Sequence, residues 1–135
     1  MKYKILEHKT DLKIKVFGKD LKKLFENAMV GMLKSANYQK DPKIKTSKAK
    51  IKLKSIDLPS LLVDFLTEIL YLVETKKLIF EKVKFKKFDK NQIEAELIGR
   101  PLKRMGVHIK GVTYHDLDIH QKEDGEWEAT ILFDI

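Results

Sequence analysis

A chain of 135 residues is long enough to bury a core without covalent or metal staples, and a single domain over residues 1–135 is expected. The absence of cysteine excludes a disulfide framework, a thiolate metal site and a thiol nucleophile. No apolar run approaches the roughly 18 residues of a membrane span, and the opening MKYKILEHK has too short an apolar stretch for a signal peptide. A cytoplasmic protein with no membrane partner is therefore expected. Its net charge of +8 is unevenly placed, with 16 Lys against 6 acids in residues 1–57 and 7 acids against one lysine from His115 onward. That division predicts a basic half and an acidic corner, and basic surface attracts phosphate-rich partners.

In LKIKVFG, Leu12, Ile14 and Val16 alternate with Lys13 and Lys15, the period of a half-buried strand, which Gly18 ends. Asp20 is placed to cap a helix over 21–36, in which Leu21, Leu24, Phe25, Ala28 and Met32 form one apolar face. NYQKDP reads as a loop. SKAKIKLKS is the cleanest alternation in the chain: Ala49, Ile51 and Leu53 point inward, and Lys48, Lys50, Lys52 and Lys54 point out. Such a row can grip phosphates or guard a sheet edge from aggregation; with no interleaved aromatic to stack on bases, the second reading is favoured.

DLPSLLVDFLTEILYLVE forms the central buried helix, capped by Asp57 or Ser60 with Pro59 in its first turn. Strands are expected at 78–88 and 92–99, joined near DKN, followed by a basic loop, RPLKRMG. Asp124-Gly125 marks a hairpin between VHIKGVTYHDLDIHQ and a last strand in which Trp127, Ala129, Ile131 and Phe133 alternate. The fold class that results is α+β: strand-helix-strand-helix and then several strands, with two helices packed on a mostly antiparallel sheet.

Chemistry-bearing motifs are sparse. The six glycines are scattered, so no phosphate-cradling loop is present, and no serine sits in a nucleophile-elbow setting. His8, His108, His115 and His120 share no helical spacing, and the odd interval from 115 to 120 would send those two to opposite faces of a regular strand. What remains is acidic. Asp11 precedes the strand that begins at Leu12, while Asp134 and the terminal carboxylate of Ile135 follow the last strand. If those strand ends meet, three carboxylates converge, and a hard divalent cation would relieve their repulsion. An isolated aspartate at a strand boundary is ordinarily a turn residue, so spacing alone leaves both readings open.

EH-x-x-D near the start, KGVTYHDLDI, and a Trp-containing last strand ending in FDI together resemble the archease family. The similarity extends through the helices KDLKKLFENAMVGML and LLVDFLTEILYL, nearly end to end. The resemblance implies a metal-dependent accessory protein with no catalytic turnover of its own. Its partner would be the GTP-dependent tRNA ligase of tRNA splicing and RNA repair, which it helps to guanylylate its active-site histidine and to turn over repeatedly. The family is also similar to proteins proposed to chaperone tRNA-modifying enzymes. Its metal ligands map onto Asp11, Asp134 and Ile135, the last through its terminal carboxylate. Ca²⁺ is the first choice of cation, with Mg²⁺ or Mn²⁺ also suited.

Lys110, His115 and His8 are candidates for partner contact, each with a plain alternative as a solvated lysine or hydrogen-bonded imidazole. Archeases usually read His-Thr-Ala-Asp where this chain has HKTDLK, so Lys9 and Lys13 stand near the acid and weaker metal binding is expected. The competing reading is a direct RNA-binding module using the basic N-terminal half. A stand-alone metal-dependent hydrolase ranks last, because no general base or nucleophile accompanies the acids.

Overall fold

The computed structural model describes residues 1–6 and 11–135, which form eight strands and two helices. Strands β1 (Tyr3–Leu6), β2 (Asp11–Gly18), β8 (Trp127–Asp134) and β7 (Gly111–Gln121) build one antiparallel sheet in the order β1-β2-β8-β7. A second sheet is centred on β6 (Gln92–Arg104), with β4 (Ser47–Lys54) and the short β3 (Gln39–Lys40) along one side and β5 (Leu78–Phe88) along the other. Helices α1 (Leu21–Ser35) and α2 (Leu58–Lys76) each touch strands of both sheets. The apolar faces of sheets and helices share one core, and each sheet turns its other face to solvent.

The α+β architecture with two helices stands, with the strands divided between two sheets. Asp20 caps α1 by accepting a 2.8 Å bond from the Lys23 amide, and the helix buries Leu24, Phe25, Ala28, Met29 and Met32. Asn37, in the left-handed region at φ 63°, turns the chain beyond the helix, a conformation asparagine tolerates better than most residues. For α2 the cap is Asp57, not Ser60: the Asp57 carboxylate accepts from the Ser60 amide at 2.8 Å. Hydrogen bonding from Ser60 holds that carboxyl below its ordinary pKa. No helix among the described residues is long and apolar enough to cross a membrane.

The expected basic loop RPLKRMG is a correction. β6 continues through Pro101 to Arg104, because Pro101 uses only its carbonyl, which accepts from the Asp41 amide at 2.8 Å. Leu102 and Arg104 then pair with β3, within a stretch that reads as a loop in sequence.

This corner is tied by Glu81, whose carboxylate meets Lys40 and lies 3.2 Å from Arg100 Nε. Partial burial pushes the Glu81 carboxyl up, but the hydrogen bond and charge of Lys40, with the charge of Arg100, outweigh it and leave the pKa below 4.5. Stabilisation from this group is present above the ordinary carboxylate pKa and is lost as pH falls through the lowered one. Glu81→Gln should therefore flatten the decline in stability between neutral pH and about pH 3, as measured by urea unfolding across that range.

Candidate metal centre

Strand pairing brings the candidate acids together. In the β2–β8 ladder Asp11 is directly opposite Asp134, followed by Leu12 with Phe133, Lys13 with Leu132 and Ile14 with Ile131. Directly opposed residues of an antiparallel pair lie about 4.5–5.5 Å apart and project to the same face. Because Leu12, Ile14 and Val16 fill the interior with Phe133, Ile131 and Ala129, the two aspartates belong to the solvent face, Asp11 half-buried and Asp134 exposed. Like charges so placed are destabilising by themselves. Ile135 follows immediately and packs against the edge of the core.

The same rung continues onto β7, where Gly111 pairs with Asp134. A Cβ built on Gly111 meets nothing within 4 Å, so the space beside Asp134 is open. Residues leading into β7 are fixed by three hydrogen bonds: Val107 N–H to Ala36 O at 2.8 Å, Ile109 N–H to the Tyr38 hydroxyl at 3.1 Å, and Lys110 N–H to Asp134 O at 2.7 Å. Gly106 permits this close approach, since a Cβ there would fall 1.8 Å from Ala36 O. Lys110 is exposed, and its main chain is held against that of Asp134.

Lys13, two rungs inward from Asp11, places its Nζ 3.8 Å from the Asp116 carboxylate. Asp116 lies in a bulge of β7, where the ladder register shifts between Thr113 and Asp118 and Asp116 takes φ 56°. The bulge also breaks the strand parity that would place His115 and His120 on opposite faces. It presents Tyr114, 58% exposed, and His115, whose Nε2 is 3.4 Å from Asp116. His8 lies outside the described residues.

Farther along the same sheet face, His120 bridges two carboxylates, with Nδ1 2.6 Å from Asp118 and Nε2 2.9 Å from Glu128, and Lys15 Nζ is 3.4 Å from Glu128. The sequence reading passed over this group. The Asp118-x-His120 spacing put both on one strand face, but nothing local announced Glu128 as their neighbour. Among the described residues no three His, Asp or Glu side chains are placed to hold a metal ion. The side-chain contribution to the candidate centre is therefore the Asp11–Asp134 pair.

The archease protein family model matches residues 3–135. This chain belongs to the archease family. It is 36% identical to the protein archease of Methanosarcina barkeri over 141 aligned residues, covering 98% of this chain and 95% of that protein. A protein archease of Pyrococcus abyssi is 30% identical over 96% of this chain and 95% of that protein, and an archease-like protein of Drosophila melanogaster is 31% identical over 100% of this chain and 91% of that protein. The fold matches the crystal structure of a Thermotoga maritima archease, described as a possible chaperone, with a TM-score of 0.71 over 98% of this chain at 19% identity. The overall fold is thus shared with a solved archease.

Proposed function

We propose that this archease is an accessory protein of a GTP-dependent RNA ligase, assisting the ligase to take up guanylate and to turn over repeatedly, with no turnover of its own. The observation that carries the reading is the direct opposition of Asp11 and Asp134 in a chain that matches the family end to end. The donor set is oxygen only, as hard divalent cations require. In this reading the two side-chain carboxylates and the Ile135 main-chain carboxylate hold Ca²⁺, or Mg²⁺ or Mn²⁺, with water completing the shell. The cation would supply positive charge able to meet a carboxylate or phosphate of the partner.

The chain's own residues define the contact surface around that point. Gly111 leaves it uncovered, exposed Lys110 adjoins Asp134 through the main chain, and the β7 bulge offers Tyr114 and His115 just beyond the Thr113–Leu132 rung. Lys13 forms an ion pair with Asp116 at 3.8 Å.

Ligase, GTP and Mn²⁺ are assayed with and without this protein, under single- and multiple-turnover conditions. A rise in ligase guanylylation and in the number of turnovers is expected. Unchanged values for both would remove the ligase as partner.

A further inference from the structure

The second sheet carries a different chemistry on its solvent face. Register on either side of β6 sets outward residues of three strands in rungs: Lys48–Ile98–Lys82, Lys50–Glu96–Lys84 and Lys52–Glu94–Lys87. Lys54, opposite Gln92, extends the β4 column, and Lys86, in the irregular turn of β5 between Phe85 and Lys87, adds a further exposed lysine. In the described central strand Glu94 and Glu96 offset these charges, with Lys48 Nζ 3.5 Å from Glu96. Lysines within a column are spaced at about 6.7 Å, and the columns lie about 9.5 Å apart, two strand spacings. Lys50, Lys52, Lys86 and Glu94 also line a shallow groove along this face.

Guarding a sheet edge requires only a charge or two on each edge strand. Here β4 carries outward lysines along its length and β5 carries them from Lys82 onward, at a cost in self-repulsion. A protein partner would need an apolar anchor at the centre of its contact, and the central column here offers only the half-buried Ile98 beside Glu96 and Glu94. The outward rungs contain no aromatic residue, so there is no platform on which single-stranded bases could stack.

We infer that the outer face of the β4–β6–β5 sheet binds the phosphate backbone of a nucleic-acid duplex without reading its sequence. The surface draws on both halves of the chain, since β5 supplies one column, and it is on a different sheet from Asp11 and Asp134. It does not depend on the ligase reading or on a metal.

The test is fluorescence anisotropy with an RNA duplex of about two helical turns, between about 50 and 200 mM salt. Lys50→Gln, Lys52→Gln, Lys84→Gln and Lys87→Gln combined should reduce the slope of log affinity against log salt by about 2–4 and weaken low-salt binding at least about tenfold. The control, Lys4→Gln, Lys22→Gln, Lys34→Gln and Lys76→Gln, removes the same charge from β1 and the helices and should leave the slope within about one of the parent value. Glu94→Gln with Glu96→Gln should strengthen binding, a gain that misfolding cannot mimic. Equal loss in the two lysine variants would overturn the inference. So would a single strand bound about tenfold tighter than the duplex, or displacement of the duplex by polyglutamate at equal charge concentration.

Discussion

Asp134→Asn is expected to weaken calcium binding by about two orders of magnitude, because affinity in oxygen-ligand sites follows the number of ligand charges. The same substitution should leave the metal-free protein as stable as the parent, or slightly more stable, since it removes one of two like charges in direct opposition. These two expectations together distinguish a binding site from a structural acid. Calcium at a hundredfold excess over its dissociation constant stabilises the protein that binds it by about 2.7 kcal/mol. Thermal unfolding should therefore show a calcium-dependent rise for the parent and almost none for Asp134→Asn or Asp11→Asn. Extending the chain beyond Ile135 converts its carboxylate to an amide and should reduce the rise in the same way. Calorimetry giving equal calcium affinity for parent and Asp134→Asn would place any bound cation elsewhere.

Phe65→Ala should have the opposite profile, a large loss of stability with an intact site in the molecules that remain folded. Phe65 is fully buried on α2, its ring centroid 5.5 Å from Phe25 on α1 and 6.5 Å from Phe85 on β5. Phe25 in turn meets Phe88 edge-on at 5.1 Å. One side chain thus joins both helices and the second sheet, and no neighbour can fill its volume without leaving its own contacts. Truncation in such a position costs about 3–5 kcal/mol, a large part of the 5–15 kcal/mol typical of a domain. Urea unfolding should show a lower midpoint with an unchanged slope. A loss below about 1 kcal/mol would mean that the aromatic cluster is not the point where the layers are held together.

Local chemistry made much of this fold legible. Asp20 and Asp57 announced both helices, because a capping carboxylate acts on amides three residues away. Period-two alternation placed Ile14, Val16, Ile51 and Leu53 on interior faces, and all face the core. The misses share one cause. Pro101 within β6 and the two-residue β3 each depend on a partner strand distant in sequence, and local propensity does not report such partners. The bulge at Tyr114–Leu117 likewise defeated the parity argument for His115 and His120, since alternation assumes an unbroken ladder.

The candidate centre divides along the same line. Sequence alone marked Asp11 and Asp134 as acids at strand ends, and SKAKIKLKS as a strand with an outward lysine row. It determined which face each of these residues takes, because their strands keep an unbroken two-residue period. The tertiary structure decided which residues are neighbours. By seating β8 between β2 and β7 it set one aspartate opposite the other, and by seating β6 between β4 and β5 it turned one lysine row into two flanking columns. Pairing order and register arise from hydrogen bonds between segments far apart in the chain, and a strand's own residues do not name its partner.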